Sequence, residues 1–195
     1  MEPARRERAD VVRAMAGDHD AFAALAAGNV DRMYGLARVI LRDVDRAEDA
    51  TQETLVRMWR ELPGLRDPDR FQSWVRRLLV NACHDEGRRI RRRAEVVMLA
   101  EHGPSIGDGT AGVVDRDRLD RGFRRLPLEQ RVVVVLSHLE GLTNVEIAAT
   151  LELPLGTVKS RLRYAMEGMR AALEADDRPP LLAVAGGRGR GSRDG

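Results

Sequence analysis

The stretch "LTNVEIAATLELPLGTVKSRLRYA", residues 142–165, decides the fold. It contains two short helical patterns separated by a turn. Thr143 and Glu146 stand three apart at its start, the spacing of a capping box. Ile147, Ala148 and Leu151 then fall on one inward face, and "LPLG" breaks the helix. A second helix begins at "TVKSRLRYAMEGMRAAL", with Val158, Leu162, Ala165 and Met169 as its buried stripe. Two helices joined by a tight turn, the second basic on its outer face, form a helix-turn-helix.

The outer face of that second helix carries Thr157, Lys159, Ser160, Arg161 and Arg163. Lys159 is the only lysine in the chain. In a helix-turn-helix the second helix enters the major groove of DNA. Lys and Arg there read guanine acceptors or neutralise phosphates, and Ser and Thr hydroxyls bond to either. An isolated basic helix is more often just solvated. The capped helix before it and the small Ala148 and Ala149, which permit close packing, point to DNA.

Upstream, "LPLEQRVVVVLSHLEGL" combines a strand-like valine run with helical flanks. Pro127 suits the first turn of a helix and Gly141 suits its end. Context overrides propensity, so a buried helix is expected. Residues 116–175 thus make one compact helical block.

A second block spans residues 18–97. In "AFAALAAGNVDRMYGLARVIL" much of the spacing is helical, with Gly28 and Asn29 expected to mark a turn. In "RAEDATQETLVRMWREL" an apolar stripe of Leu55, Met58, Trp59 and Leu62 leaves Asp49, Gln52, Glu53 and Arg60 largely off it. Trp59 and Trp74, each on a stripe, are expected in the core. "PGLRDPD" forms a loop. "RFQSWVRRLLVNACHDEGRRIRRR" follows, apolar through Phe71, Trp74, Val75, Leu78, Leu79 and Ala82. Its polar face runs through Arg76, Arg77, Asn81, Asp85, Arg88 and Arg89. Cations are favoured at a helix end in any case, but this row reaches back along the whole helix.

Residues 98–115, rich in Gly, Ser, Thr and Asp, read as a flexible linker. Residues 176–195, rich in Gly, Arg and Pro, read as a disordered tail. Residues 1–17 read as a frayed or partly helical leader. The fold class is therefore all-α, two small helical domains joined by a linker.

The bulk numbers fit. Of 195 residues, 33% are charged and only 4% aromatic, which suits small helical domains with wet surfaces. The formal net charge is only +2, so the arrangement of charge matters more than its sum. One cysteine, Cys83, excludes an internal disulfide and fits a reducing cytoplasm. Cys83 and His84 lack further ligands at metal spacing, so no metal or other cofactor is expected. No Walker A loop, G-x-S-x-G or H-E-x-x-H is present, so no enzyme is expected. No apolar run is long enough for a membrane span, and the charged N-terminus lacks the apolar region of a secretory signal.

Together the two blocks resemble an RNA polymerase sigma factor of the extracytoplasmic-function (ECF) group, sigma-70 family. "RAEDATQETLVRMWRELPGL" and "RFQSWVRRLLVNACHDEGRRIRRR" are similar to sigma region 2. The stretch from "LPLEQR" to "MRAAL" is similar to region 4. The resemblance implies a region 2 helical bundle and a region 4 helix-turn-helix. It implies that Asp49, Gln52 and Glu53 meet the β′ clamp helices of RNA polymerase core, with a further contact to the β subunit. It implies that Arg76, Arg77, Asn81, Asp85, Arg88 and Arg89, with the loop 65–70, handle the −10 element and an unpaired base. It gives Thr157, Lys159, Ser160, Arg161 and Arg163 the −35 element, and it implies an anti-sigma partner. Asp85 and Glu86 depart from the usual basic or apolar run and would repel phosphate. A LuxR-type regulator shares the helix-turn-helix pattern. It would carry strand–helix alternation in front, which the first block lacks. A protein-binding helical adaptor would leave both basic stripes without a role.

Overall fold

The computed structural model describes the backbone of residues 2–98 and 122–176, and side chains within residues 5–89 and 122–174. The expected linker and tail lie outside the described residues apart from their first positions. Among the described residues every regular element is helical. None of these helices is long and apolar enough to cross a membrane. No group of three His, Cys, Asp or Glu side chains among them is placed to hold a metal ion.

The leader is more ordered than expected. Helix α1, Glu2–Met15, lays Val11 (0% exposed) and Ala14 against α2, His19–Leu41. Gly17, at φ +94, turns the chain between them, a conformation that favours glycine. Asp18 caps α2 by accepting from the Ala21 N–H at 2.9 Å. The turn expected at Gly28 and Asn29 is absent, and α2 runs straight through both. Leu25 and Met33 on either side are buried, and their packing offsets the roughly 1 kcal/mol cost of a helical glycine. Asn29 is itself buried, donating to the Leu25 carbonyl at 2.8 Å and accepting from Gln72 at 3.2 Å.

Helix α3, Val44–Glu61, is capped by Asp43. Its buried Thr51 and Thr54 stay satisfied because each hydroxyl donates to the carbonyl four residues back at 2.6 Å. Two short 3-10 turns, Leu62–Gly64 and Pro68–Arg70, lead into α4, Phe71–Met98. Helices α2, α3 and α4 pack on one another around Ile40, Met58, Leu62, Phe71 and Leu79. The stripe assigned to α3 holds except at Trp59. That residue is 44% exposed, edge-on to Phe22 and tilted over His19 at 4.9 Å.

The valine run is helical. Helix α5, Leu128–His138, buries all of Val132, Val133, Val134, Val135 and Leu136. Helix α6, Asn144–Leu151, carries both bonds of the capping box at Thr143 and Glu146. Glu152 at φ +53 ends it, and α7, Leu155–Asp176, follows. Val158 and Ala165 are fully buried, which sets the inward side of α7.

Two partners explain why α5 is apolar all round. Val134 packs with Leu126 and Ala165 towards α7. Val132, Val133, Val135 and Leu136 join Ile147 and Val158 to the core of the first block. Helix α5 lies against α2 and α4, and α6 lies against α4. The approach is close: a Cβ added at Gly87 of α4 would stand 2.7 Å from Leu128 Cδ2. The two helical blocks therefore share one continuous apolar core.

Candidate nucleic-acid interface

Three faces collect the residues singled out in the sequence. On α3, Asp49, Gln52 and Glu53 are exposed together, one turn apart. Val56 (40% exposed) and Trp59 extend that face towards the end of the helix. The face is acidic at one end and apolar at the other. Glu53 also accepts from Arg57 Nε at 2.8 Å.

On α7, inward-pointing Val158 fixes where the polar side chains go. Lys159 and Arg163 are exposed, while Thr157, Ser160 and Arg161 are half-buried. Ser160 donates to the Thr157 carbonyl at 3.0 Å. The Arg163 guanidinium sits 4.6 Å from the Tyr164 ring centroid, and Glu167 lies 3.7 Å away. Burial lowers the pKa of His84 on α4, Glu129 opposes that shift, and the Arg161 and Arg88 charges reinforce it.

On α4 the described arginines are engaged. Arg76 Nε donates to Glu140 Oε2 at 2.6 Å. Arg32 of α2 closes on the same carboxylate, with Nε donating to Oε1 at 2.8 Å and Nη2 also in contact. The Glu140 side chain is 6% exposed. Its burial raises the pKa, but hydrogen bonds from Arg32 and Arg76 outweigh that and hold it below the ordinary range. Arg77 pairs with Glu152, at the end of α6. Only Asn81, Arg88 and Arg89 of the predicted row are exposed.

Asp85 is paired within the chain. It is half-buried, accepts from Arg57 Nη2 at 2.8 Å and pairs with Arg88. It ties α4 to α3 through Arg57. Its burial raises the pKa, and the Arg57 bond and the two nearby arginines turn the net shift downwards. Glu86 is buried and holds Arg89. Neither carboxylate is a bare negative charge facing outwards.

Between the blocks opens a cavity of about 610 Å³. Arg66, Arg70, Ser73, Trp74 and Arg77 line one side, and Thr150 and Glu152 the other. The loop expected to take part in DNA handling therefore lines this cavity beside α4, opposite the end of α6.

Known protein families match two stretches of the chain. The Sigma-70 region 2 family matches residues 25–94, and the Sigma-70, region 4 family matches residues 116–167. The ECF RNA polymerase sigma factor SigM of Mycobacterium tuberculosis (strain ATCC 25618 / H37Rv) is 34% identical over 160 residues. That alignment covers 80% of this chain and 81% of SigM. The chain belongs to the ECF sigma-factor family. A sigma factor is a transcription initiation factor and not an enzyme. Region 2 accounts for residues 25–94 of the first block, which a LuxR-type regulator would fill otherwise. Among solved structures, CnrH in complex with the cytosolic domain of CnrY matches this sigma factor with a TM-score of 0.62 and 27% identity, over 88% of this chain and 99% of CnrH. RpoE from Bartonella quintana, solved with the anti-sigma factor NepR, matches with a TM-score of 0.63. It is 22% identical, over 80% of this chain and 98% of RpoE.

Some residues carried no signal in the sequence. Arg57, Arg32 and Glu140 are each unremarkable in isolation. They matter because folding brings together positions 28, 64 and 108 residues apart. The continuous apolar circumference of α5 was the one available sign that this helix has a partner on both sides.

Proposed function

We propose that this sigma factor binds RNA polymerase core, recognises the −35 and −10 elements of one promoter class and assists DNA opening, within the cytoplasm. Residues 18–97 serve as the region 2 unit and residues 116–175 as the region 4 unit. The observation that carries this reading is the presence in one chain of three complementary faces: the acidic and apolar α3, the arginine row of α4 and the basic α7.

Asp49, Gln52 and Glu53 meet a basic surface of the polymerase, the β′ clamp helices, and Val56 and Trp59 add the apolar anchor that such interfaces favour. The β subunit provides a second contact. Thr157, Lys159, Ser160, Arg161 and Arg163 face the −35 duplex. Arg76, Arg77, Asn81, Arg88 and Arg89 bind the −10 strand, with Asp85 positioning Arg88. Opening the duplex costs stacking energy, and binding the unpaired strand offsets it. The cavity of about 610 Å³ is large enough for an unpaired base, with Trp74 in its wall and Arg66, Arg70 and Arg77 for the flanking phosphates. An anti-sigma factor is the expected regulatory partner, as RpoE has in NepR.

Core binding tests the α3 assignment directly. Purified protein should co-elute with core polymerase. The double variant Asp49→Lys/Glu53→Lys should lose that binding while keeping its helical circular dichroism. Undiminished binding by the variant would remove α3 from the interface.

A further inference from the structure

Arg131 of α5 is a partly buried cation without a counter-ion. Its side chain is half-buried, and its Nε is buried with no hydrogen-bond partner. Burial lowers its pKa and the Arg42 charge lowers it further, while Cys83 and Glu129 oppose that shift. Among the described residues no carboxylate pairs with it. A guanidinium left in this state costs free energy unless an anion meets it.

Arg131 lines a second cavity, of about 450 Å³, set between the end of α2, the middle of α4 and the start of α5. That cavity shares no lining residue with the one beside the loop 65–70. Leu41, Leu126, Pro127 and Leu128 make its apolar side. His84, Arg88 and Arg131 bring nitrogen donors to it, and Glu129 is the one carboxylate in its lining. The surroundings are electropositive: the Arg161 and Arg88 charges add to burial in lowering the His84 pKa, against Glu129. No side chain caps the first turn of α5, so the positive end of that helix adds to the same field.

The volume is that of a small-molecule site. A phosphate matches the donors, because its oxygens accept from the fork of a guanidinium. The apolar side suits an aliphatic remainder. No aromatic ring except the His84 imidazole lines the cavity to stack a base.

We propose that this cavity binds a small phosphate monoester, with its phosphate on Arg131 and Arg88 and its aliphatic part against Leu41, Leu126 and Leu128. Only Arg88 is shared with the faces assigned to DNA, so the site stands even where those assignments fail.

Calorimetric titration of the full chain at 0.15 M ionic strength tests the site with two probes, inorganic phosphate and monobutyl phosphate. Inorganic phosphate should bind once per chain with a Kd on the order of 1 mM, about the strength of two charge-assisted contacts. Monobutyl phosphate should bind at least about fivefold tighter, because each buried methylene adds about a factor of four. Arg131→Met should weaken both probes at least about tenfold. Without ligand, its melting temperature should equal or exceed that of the unmodified chain, because the unpaired charge is gone, and this shows that the variant is folded. Glu129→Gln removes the opposing charge and should tighten phosphate binding about threefold. Arg170→Gln, at an exposed position of α7, should change either affinity by less than about twofold. In the unmodified chain the Arg131 Nε–H resonance should shift along the phosphate titration, a readout that needs no variant. Unchanged affinity in Arg131→Met, an equal loss in Arg170→Gln, or no binding at about 10 mM phosphate overturns the site. Weaker binding in Glu129→Gln overturns the placement of the phosphate. Equal affinity for the two probes overturns the apolar half of the assignment.

Discussion

Replacing Lys159 by alanine should remove one phosphate contact from the −35 complex and leave base reading intact. The α7 geometry gives the reason. Successive residues turn by about 100° around a helix. Val158 marks the inward direction, so Lys159 lies about 100° from it, on the flank. Ser160 lies near the opposite pole, and Arg163 is about 140° round. A helix in the major groove turns its outer pole to the bases and its flanks to the two backbones. Lys159 is thus aimed at a backbone. Because the side chain is exposed, the variant should differ in folding stability by less than about 0.5 kcal/mol. Fluorescence anisotropy against a duplex carrying the −35 element, and against a random duplex, should be run from 0.05 to 0.3 M salt. Losing one phosphate contact lowers the salt slope by about 0.9 on both duplexes, equivalent to about eightfold in affinity at 0.1 M. Arg163→Ala should instead lose about 1–3 kcal/mol on the promoter duplex and less on the random one. An unchanged slope for Lys159→Ala, with a loss confined to the promoter duplex, would refute the flank assignment. An equal fall in core binding would refute the whole face.

Three other outcomes follow from the geometry. Thr143→Ala removes the cap of α6, a helix of only 8 residues, and should cost about 1 kcal/mol, lowering the melting temperature by about 2–4 °C in a thermal scan. Burial, with Glu86 adding, pushes the Cys83 thiol up to about 12. It should therefore stay unreactive to a disulfide reagent at pH 8 in the native chain and react at once in denaturant; reaction in the native chain would contradict its burial. Glu140 and Asp85 both have pKa values below their ordinary range. Their contribution is fully present above the unfolded carboxylate pKa of about 4 and is lost as pH falls through the lower folded values. The urea midpoint should hold from pH 7 to about 5 and fall below that. Glu140→Gln should be less stable at pH 7 and show a shallower fall; a profile of unchanged shape would contradict the Arg32–Glu140–Arg76 network.

The helices and their inward faces were largely legible in the sequence, because periodic apolar spacing and capping chemistry are local signals. The Thr143–Glu146 box and the Val158–Ala165 stripe stand as expected. The valine run was recoverable once its flanks were weighed against its β propensity. Local signals also misled. Gly28 and Asn29 look like a turn, yet flanking burial carries α2 across them. Trp59 sits on a core stripe, but the stripe ends at the protein surface. Asp85 looked like a charge opposed to DNA because its partner, Arg57, lies 28 residues away on another helix. The docking of the blocks was the least legible feature. It depends on Glu140 meeting Arg32 and Arg76, a long-range arrangement with no periodicity of its own.

Run-off transcription with purified core polymerase over a genomic promoter library tests the sigma-factor reading most directly. Adding this chain to core should yield transcripts that start a fixed distance downstream of one shared pair of elements, and these should weaken when Arg163 is replaced by alanine. Core binding without any promoter-dependent transcript across the library would contradict it.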